Sequence, residues 1–172
     1  IMFGSLKGTH QSVRYNGNHV DQLYKTKNAV RFIPQDGLFM DYLTLADLIR
    51  IFELEKNLNR LMVLEELRSN QYSKIGSLSG GIRKMVELLT LLYADASYVL
   101  MDEPFSYLSP VLVEKLIPHI QYQSKKKGII LTDHQYQTVW SVTNKRYVLY
   151  AGNLKEVKET SELKQYGYIS LK

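Results

Sequence analysis

Two adjacent acidic residues at the end of a short apolar run are the feature of this sequence with the clearest chemical potential. The run from Tyr98 to Met101 leads directly into Asp102 and Glu103. Two carboxylates placed in this way can divide the chemistry of phosphate transfer, because one can hold Mg²⁺ and the next can polarise an attacking water. Paired acids at a strand end also serve as helix caps or loop charges, so the neighbouring sequence has to decide between these roles.

Three other places carry polar groups suited to a phosphate or a metal. Gln35 follows Pro34, His134 follows a second apolar run, and Ser79-Gly80-Gly81 stands at the start of a helical stripe. Helix starts offer free backbone amides to anions. Taken alone, Gln35 is an ordinary loop residue and His134 an ordinary structural residue. The remaining histidines have no metal-like spacing and are expected at the surface or beside strands: His10, His19 and His119.

The acidic pair and His134 follow two short apolar runs, Tyr98 to Met101 and Gly128 to Leu131, each of which is polar only at its C-terminal end. A helix-length segment, Val111 to Tyr122, separates the two runs. This arrangement predicts two buried parallel strands in a βαβ unit. Ligands of such sheets bind at the carboxyl ends of the strands, and the acidic pair and His134 both fall there.

The N-terminal part, residues 1–36, reads as a small antiparallel β region. The strand Val13 to Tyr15 enters a turn at Asn16-Gly17, because these residue types accept a positive φ. A second strand, Val30 to Ile33, ends at Pro34, which cannot donate a hydrogen bond to a sheet. The pattern therefore predicts short strands at this end of the chain.

Helical spacing of apolar residues from Leu43 to Leu67 predicts a helical pair, which we assign with its flanks to a subdomain of residues 37–78. Ser79 is a natural N-cap for a core-facing helix whose apolar stripe runs from Ile82 to Tyr93. Residues 79–172 are predicted to form the α/β core. A hairpin is predicted near the C-terminus, with Tyr147 to Tyr150 and Leu154 to Val157 flanking Gly152-Asn153.

Composition is that of one folded domain, with 172 residues, 45% hydrophobic and 23% charged. Cysteine is absent, which excludes disulfides and thiolate metal sites. The net charge of +5 is spread along the chain, and its one tight run, Lys125 to Lys127, is expected to be a solvated loop. The most apolar stretch, Val86 to Met101, is interrupted by Glu87 and Asp95, so any role at a membrane is expected to depend on a partner.

Taken together and in order, the polar motifs resemble the ABC ATPase family. The matching segments are Pro34-Gln35-Asp36 (Q-loop), Leu78-Ser79-Gly80-Gly81 (signature), Asp102-Glu103-Pro104-Phe105 (Walker B), Ser106 to Ser109 (D-loop) and Thr132-Asp133-His134 (H-loop). The Walker B and H-loop segments are most similar to those of bacterial lipopolysaccharide-export and branched-chain amino-acid importer ATPases. The resemblance implies a P-loop NTPase-like α/β fold, with a mostly parallel sheet, an antiparallel N-terminal β region and a helical subdomain.

The resemblance also implies ATP and Mg²⁺ as cofactors and a role for each motif. By this likeness, Glu103 is the general base or water-orienting group, Asp102 the Mg²⁺ partner, and Gln35 a contact to Mg²⁺ and to the attacking water. His134 contacts the γ-phosphate. The signature residues Ser79, Gly80 and Gly81 donate to the γ-phosphate of ATP bound on another subunit, so hydrolysis is expected to need two chains face to face.

Three departures from the family pattern stand out. Ile82 follows the signature where Gln or Glu is common, and Ser109 ends the D-loop where the family generally has Asp, which bears on how the two sites communicate. The phosphate-binding sequence G-x-x-x-x-G-K-[ST] is absent. Because a segment like Ile1 to Gly17 follows that loop's helix in the family, we expect the loop upstream of Ile1 and the chain to be an inactive fragment by itself. A product that lacks the loop is the alternative.

The function implied is that of an ATP-binding transporter subunit, cytoplasmic and peripheral on the inner face of the membrane, which dimerises and drives a permease. The apolar stretch Leu38-Phe39-Met40 with Tyr42 either faces that permease or packs internally. One alternative is a soluble ABC protein acting on nucleic acid or ribosomes. Such a protein is expected to carry a second cassette, a coiled coil or a basic arm. This sequence shows none of these features, so nucleic acid is not an expected partner. Another alternative is a catalytically silent interaction module.

Overall fold

The computed structural model describes residues 12–169 and divides the chain after His134 into two units, which are described separately. The first contains strands β1 (Arg14–Tyr15), β2 (Asn18–His19), β3 (Val30–Ile33), β4 (Tyr98–Asp102) and β5 (Gly128–Thr132), and helices α1 (Leu45–Ile51), α2 (Leu58–Leu61), α3 (Glu65–Arg68), α4 (Gly80–Tyr93) and α5 (Pro110–Ser124). The second contains α6 (Tyr136–Val142), β6 (Tyr147–Tyr150) and β7 (Asn153–Glu156).

A three-stranded parallel sheet in the order β3-β4-β5 forms the centre of the first unit. Ile33 lies beside Met101, and Asp102 lies beside Thr132, so the carboxyl ends of the three strands share one edge. The predicted βαβ unit is confirmed, with α5 between β4 and β5. The placement of Val30–Ile33 in an antiparallel region was wrong, because this strand pairs parallel with β4 and belongs to the central sheet.

Helix α4 is the buried helix that the stripe after Ser79 predicts. Its inner residues, among them Met85, Val86 and Leu89, are almost fully buried, and the helix packs against β3 and α5. Burial of such side chains stabilises the fold by roughly 1.5–3 kcal/mol each. Because α4 begins at Gly80, the same packing that anchors the helix fixes the position of the signature segment.

The helical region between β3 and α4 is more broken than the predicted pair. Three short helices contribute the buried residues Leu48, Leu61 and Leu67. A capping box begins α1. The Thr44 hydroxyl accepts from the Asp47 amide, and the Asp47 carboxylate accepts from the Thr44 amide. The backbone of Glu53, with φ of 53°, interrupts the helical path after α1.

Both predicted hairpins are present. Asn16 (φ 50°) and Gly17 (φ 82°) turn β1 into the antiparallel β2. In the second unit, β6 and β7 pair around Ala151 (φ 47°) and Gly152 (φ 76°), so the turn lies one residue earlier than Gly152-Asn153. Helix α6 had no counterpart in the sequence prediction.

Two surface assignments were wrong. His119 is buried on α5, where its Nδ1 lies 2.7 Å from the Tyr93 hydroxyl. Lys125 and Lys126 are exposed as predicted, whereas Lys127 is half-buried and donates from Nζ to the carbonyls of Leu92 (3.0 Å) and Ala94 (2.7 Å) at the end of α4. His19 is exposed as expected, and His10 lies outside the described residues. Among residues 12–169, no helix combines the length and apolar character that crossing a membrane requires.

Candidate active site

Glu103, at the carboxyl edge of the sheet, is held through both its backbone and its side chain. It follows β4 with a φ of 44°, and its amide donates to the carbonyl of Thr132 at 2.8 Å. A positive φ is unfavourable for a residue with a side chain and is retained where the surroundings enforce it. The carboxylate Oε2 accepts from Gln35 Nε2 at 3.0 Å and from the Ser106 hydroxyl at 2.9 Å. Two neutral donors from different loops therefore aim this carboxylate.

Gln35 and His134 both lie beside Glu103, but only Gln35 is hydrogen-bonded to it. Gln35 follows β3 and is hydrogen-bonded to the carboxylate. His134 Nδ1 lies 3.8 Å from Glu103 Oε2 and 3.8 Å from an oxygen of Asp133, which is beyond hydrogen-bonding distance. The His134 side chain is 66% exposed. His134 is thus close enough to act beside Glu103 while its ring stays accessible to a ligand.

Asp102 is the last residue of β4, and Asp133 directly follows the last residue of β5. Asp102 Oδ1 accepts from the Thr132 hydroxyl at 2.6 Å, and its side chain is half-buried at the edge. The Asp133 side chain is fully buried and accepts from the Phe105 amide at 3.0 Å, which fixes the turn that carries Glu103. Sequence analysis assigned no role to Asp133, because its neighbour in space is 28 positions away.

The signature residues lie at the start of α4 and hydrogen-bond to none of Gln35, Glu103 and His134 within the described chain. Ser79 occupies the N-cap position in backbone conformation, yet its side chain makes no capping hydrogen bond. A Cβ on Gly80 would meet no atom within 4 Å. On Gly81 it would lie 3.1 Å from Leu112 Cδ1. The outer face of this helix start is therefore open, and its inner face is tightly packed.

The residues present fit Mg²⁺ bound together with a nucleotide. In residues 12–169, no three His, Cys, Asp or Glu side chains are grouped to hold a metal by themselves. Mg²⁺ is commonly held by one or two carboxylates with phosphate oxygens and waters, so a complete protein cage is not required. Asp102 supplies a carboxylate at the sheet edge, and Gln35 supplies an amide oxygen whose nitrogen is already directed to Glu103.

The family model for ABC transporters matches residues 1–106, more than half of the chain. The chain belongs to the ABC transporter family. It is 28% identical over 158 residues to an uncharacterised ABC transporter ATP-binding protein of Rhizobium meliloti, covering 83% of this chain and 58% of the relative. It is 26% identical over 143 residues to the lipopolysaccharide export system ATP-binding protein LptB of Escherichia coli, covering 76% of this chain and 58% of LptB.

A solved structure of an ATP-binding subunit of an ABC transporter matches with a TM-score of 0.80 at 21% identity, covering 97% of this chain and 75% of that one. The ABC fold predicted from the motifs is confirmed, as is the resemblance to lipopolysaccharide-export ATPases. The chain spans 58% of the length of the two curated relatives described above.

Two of the departures from the ABC pattern have structural counterparts. Ser109 is the N-cap of α5, where its hydroxyl accepts from the Leu112 amide at 3.4 Å and Pro110 takes the first helical position. Serine thus performs at this position a capping role that aspartate also performs. Ile82 lies half-buried in the first turn of α4. The sequence analysis did not predict the hydrogen bond from Ser106 to Glu103. The spacing of three residues between them is the sequence feature that could have indicated it.

Proposed function

We propose that this chain is the hydrolytic part of an ABC transporter ATP-binding subunit that cleaves ATP at the interface of a dimer. The observation that carries the proposal is the aimed carboxylate of Glu103. Gln35 and Ser106 both donate to Oε2, which leaves Oε1 available to accept from a water. A carboxylate that is held on one oxygen and available on the other suits a general base or a water-orienting group.

The other residues at the sheet edge have complementary roles in this proposal. Asp102, with Gln35, would hold Mg²⁺, which supplies neutralisation of the phosphate charge when it is bound. His134 contacts the γ-phosphate, since its exposed ring lies beside Glu103 without a hydrogen bond to it. Each of these side chains starts from a neighbouring strand end, so the sheet itself sets their spacing.

The signature segment acts on a second subunit in this proposal. The hydroxyl of Ser79 and the amides at the start of α4 donate to the γ-phosphate of ATP held by the partner, and the dimer is expected to be a homodimer. Support comes from the uncapped Ser79 side chain and the open space at Gly80, since a bound phosphate needs both free donors and close approach.

A permease is the proposed recipient of the energy of hydrolysis, with the subunit peripheral on the inner face of the membrane. Leu38, Met40 and Tyr42 expose 46%, 60% and 65% of their surfaces, whereas Phe39 packs against the ring of Phe52. Exposed apolar residues next to a catalytic loop suit a partner protein. We assign residues 37–78, between β3 and α4, as the subdomain that carries this surface.

The test uses the full-length protein and first measures Mg-ATP binding and turnover of the parent. Glu103→Gln keeps the shape of the site and removes the charge, so Mg-ATP binding should survive while turnover falls by roughly two to four orders of magnitude. Because ATP then persists, the variant should accumulate as an ATP-dependent dimer in size-exclusion chromatography.

Asp102→Asn is the matched control, since it neutralises the neighbouring carboxylate. It should weaken Mg-ATP affinity by perturbing the metal and should not accumulate the ATP-bound dimer. Hydrolysis by Glu103→Gln at nearly the parent rate would show that Glu103 is not the catalytic carboxylate. The mechanism would then be wrong.

A further inference from the structure

A buried lysine connects the signature helix to the loop that carries Gln35. Lys84 is the fifth residue of α4 and is only 4% exposed. Its ammonium donates to the carbonyl of Pro34 at 3.0 Å and to that of Gln35 at 2.8 Å. No carboxylate of the described chain lies within salt-bridge distance of it. Buried lysines are uncommon because the charge is costly to desolvate, so this contact is a specific feature of the site.

The residues next to Lys84 bind the following part of the same loop, residues 34–41. Arg83 donates from Nη2 to the Phe39 carbonyl at 3.1 Å and from Nη1 to Asp41 at 2.7 Å. Glu87, one turn further along α4, accepts from the Leu38 amide at 3.1 Å. The loop is therefore attached to one side of the first two turns of α4 at several points.

Gly37 permits this close approach. A Cβ at this position would lie 3.1 Å from Arg83 Nη2 and 3.3 Å from Glu87 Oε1, tighter than nearly all such contacts. Loop 34–41 and α4 are thus fitted to each other on this side, and a cleft of about 200 Å³ opens beside them, bordered by Gln35 and Gly80.

Burial lowers the pKa of Lys84, and the negative charge of Glu87 is the strongest of the effects that oppose this.

These contacts form a short path to the proposed catalytic carboxylate. Lys84 holds the backbone of Gln35, and the Gln35 side chain donates to Glu103 at 3.0 Å. We propose that Lys84 is a positioning residue. It holds Gln35 where its side chain can donate to Glu103, and it couples this position of Gln35 to the helix that begins at the signature. Phosphate contact at the start of α4 and alignment of Gln35 then depend on each other. The kinetic part of this inference rests on the proposed function.

The first test needs no activity and follows hydrogen exchange of loop 34–41 in the nucleotide-free, full-length protein. Lys84→Met keeps the apolar stem and removes the donors, so exchange in this loop should become roughly tenfold faster while α4 keeps its protection. Lys84→Arg, which retains donors, should stay near the parent, and so should Lys125→Met at an exposed lysine. Unchanged loop exchange in Lys84→Met would overturn the proposal.

The second test is a double-mutant cycle on ATP turnover with Gln35→Ala. If Lys84 acts through Gln35, Lys84→Met should lower kcat by roughly five- to tenfold, no more than Gln35→Ala does, with nucleotide affinity retained. In the Gln35→Ala background the same change should then cost less than about twofold. Losses that multiply would show that Lys84 acts on the fold and not through Gln35, and would contradict the proposal.

The two tests separate this inference from the function on which its kinetic part rests. If the parent hydrolyses no ATP, the proposed function fails, and the exchange experiment still decides whether Lys84 holds the loop. Should Lys84→Met not fold, Lys84→Gln takes its place, because its shorter side chain cannot reach both carbonyls. Exchange and turnover of that variant at parent values would equally overturn the proposal.

Discussion

The carboxyl edge of the central sheet and the start of helix α4 differ in whether their polar groups find hydrogen-bond partners within the chain. At the sheet edge, Glu103 is engaged by Gln35 and Ser106, and its backbone is fixed across the strands. At the helix start, Ser79 makes no side-chain cap, and Gly80 borders open space. One region is prearranged from within, whereas the other offers unused donors. The difference supports our proposal that the signature binds a ligand presented by a second subunit.

The largest effect is expected from a substitution that fills the open space at the start of α4. Ser79→Arg places a long side chain where, in the proposed dimer, the partner's phosphate would approach, and it changes no residue of the sheet edge. We expect ATP binding largely intact and hydrolysis lowered by roughly a hundredfold or more, the range for losing a transition-state donor. Steady-state turnover and fluorescent-nucleotide titration measure the two effects. Lost binding with unimpaired turnover per bound nucleotide would contradict a role of the signature on the opposite subunit.

A smaller effect is expected from loosening the prearranged region. Ser106→Ala removes one of two donors to Glu103 Oε2 and leaves the Gln35 contact in place. A single hydrogen bond of about 1 kcal/mol corresponds to a roughly two- to tenfold fall in kcat, with little change in nucleotide affinity. Ser124→Ala, at the end of α5, is the control, because that hydroxyl binds only its own helix. Equal kcat in Ser106→Ala and the parent would show that Ser106 does not aim the carboxylate.

The smallest effect concerns the packing behind α4 and leaves both regions of the site intact. Burial lowers the pKa of His119 from its ordinary value of 6.5, with a further contribution from the charge of Arg60. The unfolded chain therefore takes up a proton first as pH falls through about 6.5, and stability declines below that pH. Urea unfolding should show this loss in the parent and a flatter pH dependence in His119→Gln. Parallel profiles would mean that His119 does not titrate differently in the folded state.

The sequence was sufficient for the elements and motifs that local pattern controls. The apolar runs Tyr98 to Met101 and Gly128 to Leu131 predicted β4 and β5, and the stripe after Ser79 predicted α4. Each run is short, polar at one end and bounded by residues that stop a strand or begin a helix. Such features are encoded by neighbours in the chain and need no knowledge of tertiary partners.

Features that depend on distant partners could not be predicted in this way. The run Val30–Ile33 does not reveal that its partner is β4, some 68 positions later, so its parallel pairing was missed. Lys127 was predicted to lie in a solvated loop and Lys84 was given no role, yet both donate to backbone carbonyls of remote segments. In each case the polar group is satisfied by an element that only folding brings near.

The contrast between the prearranged and the open region is tested most directly by mixing two inactive variants. Ser79→Arg and Glu103→Gln are combined before ATP is added, so that mixed dimers can form. A mixed dimer contains one site in which intact Glu103 of one chain faces intact Ser79 of the other. Random pairing should then restore about a quarter of the parent turnover, since half of the dimers carry one intact site of two. No recovery from a mixture in which both variants bind ATP and dimerise would contradict a site shared between two chains.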